Sequence, residues 1–278
     1  SWMVMRDGTQ KPMSSHPTQI DAWTETRRLA RGAGGQAILK NSNGKIQAKN
    51  SYAVRQTSNK SWKLTRSLIP LAICYDFDGT LAPGNMQERD FIPQIGMTKK
   101  AFWNEVKALC RQHQADNILI YMWLMLQKAD AARVQVRRKN FIDYGKKLKL
   151  FAGVDDWFDR INKYGKAGGF RVTHHIISSG IREMILGTSI KQKFRDIYAS
   201  SYCFDHHGVA QWPALALNYT TKTQFLFRIN KGAHSVYDHE VINKYIPHED
   251  RPVPFSNMIF IGDGETDIPC FRLVKEQG

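Results

Sequence analysis

The apolar residues of this chain fall into short runs that end in polar turns. Leu68–Tyr75 has the length of a strand, is interrupted by Pro70, and leads directly into a turn that contains two aspartates. Further runs predict strands at residues 170–177, 197–204, 209–217 and 258–261. The last of these runs also ends in an acidic turn.

Apolar residues at helical spacing occupy the stretches between these strands. Residues 97–148 are expected to contain three helices, beginning at Thr98, Asn117 and Phe141. More helices are expected from Gly153 to a stop at Gly165 and Gly168, near 181–186, and over 221–229. The longest apolar run, Ile118–Leu126, is shorter than the roughly 18 residues of a membrane span and predicts a buried helix.

Residues 1–53 have a pattern of their own. A strand is expected at Trp2–Met5, followed by a helix that Thr18 caps and that ends near Gly32. Asn43-Gly44 predicts a hairpin turn between two more strands. The layout is that of a small α+β domain, and the polar, basic stretch 54–70 is expected to be a linker in which Trp62 and Leu64 can pack.

The two acidic turns are candidates for one site. Asp76 and Asp78 would share a side if the strand continued, so one can act as a nucleophile while the other moves a proton. The second turn is Gly262-Asp263-Gly264-Glu265-Thr266-Asp267. An EF-hand is excluded because Ile268 stands where that loop needs glycine. Carboxylates at two strand ends can meet at one sheet edge, and such hard oxygen ligands suit Mg²⁺.

These motifs resemble those of the haloacid dehalogenase-like (HAD) superfamily, over residues 71–278. Asp76-Phe-Asp78-Gly-Thr80 is similar to the first motif, D-x-D-x-T, and the acidic turn at Asp263 and Asp267 is similar to the fourth. The strand ending in Ser178-Ser179 looks like the second. The third motif is a lone lysine, for which we choose Lys222 and keep Lys231 as the alternative. The likeness is closest to bacterial hydrolases of the phosphoserine-phosphatase type, and residues 1–53 resemble a short bacterial domain of unknown function.

The resemblance implies a Rossmann-like α/β core with a parallel sheet and a helical cap inserted at about 85–150. It implies a phosphomonoesterase that acts through an aspartyl-phosphate, with Asp76 as nucleophile and Asp78 as general acid and base. Thr80, Ser178, Ser179 and Lys222 would bind phosphate. The Mg²⁺ ligands would come from Asp76, the backbone carbonyl of Asp78, and Asp263, with Asp267 holding the metal shell or orienting the lysine.

Asp78 narrows the chemistry within that superfamily. Dehalogenase members lack this second aspartate and transport ATPases replace it by lysine, so Asp78 argues against both activities. Phosphomutases share the pair of aspartates, so a phosphomutase activity is not excluded. The family also leads us to expect a further strand after the helix that follows Asp267, beyond Gly278.

Charge adds a second hypothesis. The net charge is +15, and residues 1–70 hold 12 basic against 3 acidic residues, a net +9. A concentrated basic segment attracts polyanions, so this unit could bind nucleic acid or a protein, or deliver a phosphatase to nucleic-acid ends.

Cysteine and histidine usage adds no metal site. The four cysteines are scattered without a C-x-x-C, which favours reduced thiols in a cytoplasmic protein, and no membrane association is expected. The pairs His174-His175 and His206-His207 point to opposite faces and predict structural or surface roles.

Overall fold

The computed structural model describes residues 1–9, 11–33, 35–52 and 68–278. The chain divides into two compact units, residues 1–65 and residues 66–278. Most of the predicted linker 54–70, including Trp62 and Leu64, lies outside the described residues. The first strand of the larger unit begins at Ile69, inside the end of that linker.

The described residues of the smaller unit form one helix and two antiparallel strand pairs. Strand β1 (Trp2–Met5) pairs with β2 (Pro12–His16), and β3 (Gln36–Lys40) pairs with β4 (Ile46–Ser51) across the predicted Asn-Gly turn. Helix α1 (Gln19–Gly32) begins where Thr18 Oγ1 accepts a hydrogen bond from the Asp21 N–H at 3.2 Å. Strand β2 was missed, because Pro-Met-Ser-Ser-His does not alternate apolar with polar residues.

A five-stranded sheet forms the centre of the larger unit. Its strands are β5 (Ile69–Tyr75), β6 (Phe170–Ile181), β7 (Asp196–Phe204), β8 (Ala210–Leu215) and β9 (Met258–Ile261). Their order is β8-β7-β6-β5-β9, and every pairing is parallel except that of β7 with β8. The predicted α/β class is confirmed, and the two strands that end in carboxylates are direct neighbours.

Helices surround this sheet. They are α2 (Phe91–Gln94), α3 (Lys99–His113), α4 (Asn117–Ala131), α5 (Arg138–Lys146), α6 (Val154–Ala167), α7 (Arg182–Gly187), α8 (Tyr219–Lys231), α9 (His239–Asn243) and α10 (Ile268–Gln277). Helices α2–α5 follow β5 and form the insertion that the sequence predicted; they are called the cap below. Thr98 caps α3, as predicted, and α4 is the predicted buried helix.

The side chains of β5 alternate between the two faces of the sheet and therefore lie in two separate cores. Ile73 and Tyr75 belong to a large apolar cluster that includes the cap, while Ala72 and Cys74 face a smaller cluster with α8 and α10. The central strand is therefore buried on both faces, as its continuous apolar sequence requires.

One predicted helix start was wrong, and one predicted helix end was right only in part. Helix α5 begins at Arg138 rather than Phe141, because Asn140 accepts a hydrogen bond from the Arg137 N–H and caps an earlier turn. Helix α6 continues through Gly165, where a Cβ would overlap the Val172 side chain, so this glycine lets the helix pack closely on β6. The helix ends as predicted at Gly168, which is its C-cap.

The described residues contain no helix that has both the length and the apolar character needed to cross a membrane. All four thiols are free.

The two adjacent histidines have separate structural partners, as predicted. His174 forms hydrogen bonds with the Tyr75 hydroxyl and Asn162, whereas His175 forms one with Asp196.

Candidate active site

The first acidic turn is held against its neighbouring strand by backbone contacts. The N–H of Asp76 donates to the carbonyl of Ile261 at 2.9 Å, which joins the end of β5 to the end of β9. Asp76 Oδ1 accepts from the Phe77 N–H at 2.7 Å, and only 6% of the residue is exposed. The carboxylate is therefore fixed at the carboxyl edge of the sheet, where α/β folds place their ligands.

Gly79 allows the two acidic turns to meet. Its φ is +78°, and a Cβ there would overlap the carboxylate of Asp263. The hydroxyl of Thr80, predicted to bind phosphate, donates instead to Asp263 Oδ1 at 2.8 Å. In this structure, Thr80 thus orients a carboxylate.

Three carboxylates converge at this edge. Oxygens of Asp76, Asp263 and Asp267 all lie within 4.8 Å of one another. Asp267 is fully buried, and its Oδ2 accepts from the Gly264 N–H at 3.0 Å. The side chain of Asp78, also on the predicted metal list, lies outside this group, which leaves its backbone carbonyl as the predicted ligand.

Lys222 neutralises part of this charge. Its Nζ donates to Asp76 Oδ2 at 3.0 Å and to Asp267 Oδ1 at 2.7 Å, and the residue is 0% exposed. Burial alone would lower the pKa of this lysine, but the two carboxylates outweigh burial and raise it. Lys222 therefore stays charged. The three carboxyl groups outnumber this one lysine, and a set of carboxylate oxygens of this kind also suits a divalent cation.

The two lysine candidates have different surroundings. Lys222 stands in the first turn of α8 and not in a loop after a strand, as its position after Asn218 had led us to expect. Lys231 stands in the last turn of the same helix, where its Nζ donates to the carbonyls of Ile242 and Lys244 at 2.6 and 3.1 Å. Lys231 therefore binds backbone carbonyls and not the carboxylates of the acidic turns.

Asp78 has a different environment from Asp76. Its Oδ1 accepts from the Met86 N–H at 3.0 Å, and its Oδ2 lies 3.1 Å from where a Cβ on Gly180 would stand. Burial, followed by repulsion from Asp76, raises the pKa of Asp78 well above its usual range. Asp78 is therefore suited to carry a proton, a different task from that of the neighbouring Asp76 carboxylate beside Lys222.

The two serines of the second motif also differ. Ser178 is buried, and its Oγ accepts from the Gly180 N–H at 3.1 Å. Ser179 Oγ is buried without a hydrogen-bond partner in the described structure, while the Ser179 carbonyl accepts from the Tyr121 hydroxyl at 2.6 Å. Both serines line the cavity above Asp76, and their predicted contact with phosphate stays a prediction.

A cavity of about 800 Å³ opens above the carboxylates. Its floor comes from the strand ends, and one wall comes from the cap, through residues of α3 and α4: Trp103, Val106, Lys107, Cys110, Arg111, Asn117, Ile118 and Tyr121. The turn between these helices is tied to the core, because Asn218 Nδ2 donates to Asp116 Oδ2.

None of these cap residues was among the predicted site residues. The five α3 positions lie three and four residues apart, which is the spacing of one helix face, so that signal was present. It could not reveal that this face turns toward the acidic turns.

Comparisons with known proteins agree with this description. A family model described as haloacid dehalogenase-like hydrolase matches residues 73–272, and a model described as uncharacterized protein conserved in bacteria (DUF2188) matches residues 1–52. An uncharacterized protein of Borreliella burgdorferi is 28% identical over 229 residues, which cover 74% of this chain and 78% of that protein.

Solved structures with low sequence identity are also similar. A HAD-family hydrolase of Salmonella enterica serovar Typhi has a TM-score of 0.47 and 16% identity, and the match covers 74% of this chain and 60% of that one. A substrate-bound phosphoserine phosphatase has a TM-score of 0.46 and 16% identity, with 75% and 90% coverage. Because the hydrolase model spans most of the chain and includes both acidic turns, the chain belongs to the haloacid dehalogenase-like hydrolase family.

Proposed function

We propose that this protein is a Mg²⁺-dependent phosphomonoesterase that acts through an aspartyl-phosphate on Asp76. One observation carries the proposal: Asp76 lies at the floor of the cavity, between a buried lysine and two further carboxylates. A carboxylate held in this way is fixed in position beside a cation, as a nucleophile requires.

In the proposed first step, an oxygen of Asp76 attacks phosphorus and the bond from phosphorus to the leaving oxygen breaks. Asp78, which retains its proton, gives that proton to the leaving oxygen. Asp78 then takes a proton from water, whose oxygen attacks the phosphorus of the aspartyl-phosphate. Water is consumed, and the products are an alcohol and inorganic phosphate.

The residues around Asp76 have supporting roles in this proposal. Lys222 holds Asp76 in place and places positive charge beside the phosphoryl oxygens. Ser179 Oγ, buried in the cavity wall without a partner, is the hydroxyl best suited to donate to one of those oxygens. Thr80 acts through Asp263 by fixing the orientation of that carboxylate.

The acidic cluster fits Mg²⁺. Its donors are carboxylate oxygens, which magnesium prefers, and the three carboxyl groups outnumber the lysine that bonds two of them. Asp76, Asp263 and the backbone carbonyl of Asp78 would hold the ion. When bound, Mg²⁺ offsets the repulsion between an anionic nucleophile and an anionic phosphate.

A turnover assay tests this function. The full chain, supplied with Mg²⁺ and p-nitrophenyl phosphate, is expected to release inorganic phosphate, and EDTA should lower the rate by roughly 100-fold or more, because metal binding supplies several kcal/mol of charge stabilisation. EDTA saturated with Mg²⁺ is the control and should have no effect. Full activity in free EDTA would refute the metal requirement, and phosphate transfer without release would favour a phosphomutase.

A second proposal concerns the smaller unit. The hairpin of β3 and β4 carries three exposed lysines, Lys40, Lys45 and Lys49, and no described carboxylate lies within 4.0 Å of them. Such a surface suits nucleic-acid phosphates. Changing all three lysines to glutamine should abolish retardation of a labelled oligonucleotide by the full chain at low salt. Equal retardation by both proteins would exclude this surface.

A further inference from the structure

The cap wall of the cavity carries positive charge that the proposed chemistry does not use. Lys107 and Arg111 lie on α3, four residues apart, and both line the cavity. Both are exposed, and neither forms an ion pair with a carboxylate in the described part of the chain. Their charge is therefore available to a ligand.

Closer to the carboxylates, a buried acceptor has no partner. Gln87 lines the cavity and is only 2% exposed, yet its Oε1 accepts no hydrogen bond. Gln87 follows Met86, whose N–H donates to Asp78, and both Gln87 and Asp78 line the cavity. An unsatisfied buried acceptor is costly, and a hydroxyl of a bound molecule would satisfy it.

The wall between these two features is fixed. The Trp103 indole N–H donates to Glu88 at 2.8 Å, and its ring meets the Tyr121 ring edge-on at 5.8 Å between centroids. From Trp103, Lys107 is about 6 Å further along the axis of α3 and Arg111 about 12 Å, at 1.5 Å per residue. Both cations line the same cavity as Asp76, so one bound molecule can contact the acidic floor and the cap wall.

We propose, building on the phosphatase function above, that the substrate is a polyol bisphosphate. One phosphate is attacked by Asp76, a hydroxyl beside it donates to Gln87 Oε1, and the second phosphate binds Lys107 and Arg111. Two cations match the double negative charge of a phosphate better than the single charge of a carboxylate. The volume of about 800 Å³ accommodates such a molecule.

Four synthetic substrates separate the two contacts: hexyl phosphate, hexane-1,6-diyl bisphosphate, glucitol 6-phosphate and glucitol 1,6-bisphosphate. Hexyl phosphate has neither feature, and hexane-1,6-diyl bisphosphate has only the second phosphate. Glucitol 6-phosphate has only the hydroxyls, and glucitol 1,6-bisphosphate has both. We expect kcat/KM for phosphate release to rise at least tenfold with the second phosphate and at least fivefold with the hydroxyls. A second phosphate that brings no gain would overturn the proposal.

Two variants assign the gains to residues. Arg111→Gln should reduce the advantage of the second phosphate to less than threefold, mainly through KM. Lys100→Gln, an exposed lysine on α3 that does not line the cavity, is the matched control and should keep the advantage in full. Gln87→Met should remove the advantage of the hydroxyls alone. Equal losses in the Arg111 and Lys100 variants would refute the assignment. Absence of Mg²⁺-dependent phosphate release from p-nitrophenyl phosphate would instead refute the proposed function.

Discussion

Asp76→Asn is expected to lower kcat by at least about 10³-fold, equivalent to roughly 4 kcal/mol of activation free energy, while leaving the fold intact. The amide keeps the shape of the side chain and one oxygen, which can accept from either the Phe77 N–H or Lys222, and Lys222 keeps its bond to Asp267. It lacks the negative charge that attacks phosphorus. Rates are measured with p-nitrophenyl phosphate, and circular dichroism checks the fold.

Asp78→Asn provides the comparison. Asparagine can neither donate the proton to the leaving oxygen nor activate water, so an activated aryl phosphate should still form the aspartyl-phosphate while its hydrolysis becomes slow. Acid quenching and mass spectrometry should then find phosphate on Asp76. Phosphate on Ser178, with Asp76→Asn still active, would refute Asp76 as nucleophile.

The raised pKa of Asp78 predicts how kcat/KM depends on pH in the normal protein and in the Asp78→Asn variant. Because the first step uses the protonated acid, kcat/KM of the normal protein should fall as pH rises through the pKa of Asp78. That fall occurs at higher pH than for an ordinary aspartate, since burial and Asp76 raise the value. The Asp78→Asn variant should lack this limb of the profile.

Local sequence signals predicted the elements that position the site. A continuous apolar run that ends in Asp76-Phe77-Asp78-Gly79 is sufficient to indicate a buried strand and its turn, and Thr98 is sufficient to indicate where α3 begins. These signals depend only on neighbouring residues, so they can be recognised before the fold is known. The shared acidic ends of β5 and β9 predicted that the two turns can meet at one sheet edge, whereas the direct pairing of these strands was not predicted.

Contacts made between distant elements could not be predicted in the same way. Nothing near Thr80 in the sequence indicates that its hydroxyl binds Asp263, and nothing near Asn218 indicates that it binds Asp116 at the start of α4. At Gly165 a local signal was present but gave the wrong prediction. Its local signal is that of a helix end, but close packing against Val172 keeps it within α6.

Lys222→Met should cost the larger unit about 3–5 kcal/mol of unfolding free energy and also abolish turnover. Methionine has similar length and packs well, but it leaves the fully buried Asp267 without its cation. Urea unfolding followed by circular dichroism, in EDTA, measures the loss. Lys231→Met is the matched control in the same helix: it removes only hydrogen bonds to two carbonyls and should cost less than about 2 kcal/mol.

The pH dependence of this loss distinguishes a missing charge from poor packing. An uncompensated buried carboxylate takes up a proton more readily than in the unfolded chain, so its penalty is largest at neutral pH and declines as pH falls through its raised pKa. The difference between Lys222→Met and the normal protein should therefore shrink between pH 7 and pH 5. A constant difference would mean that methionine fits the site badly. An active Lys222→Met beside an inactive Lys231→Met would assign the phosphate-binding lysine to Lys231.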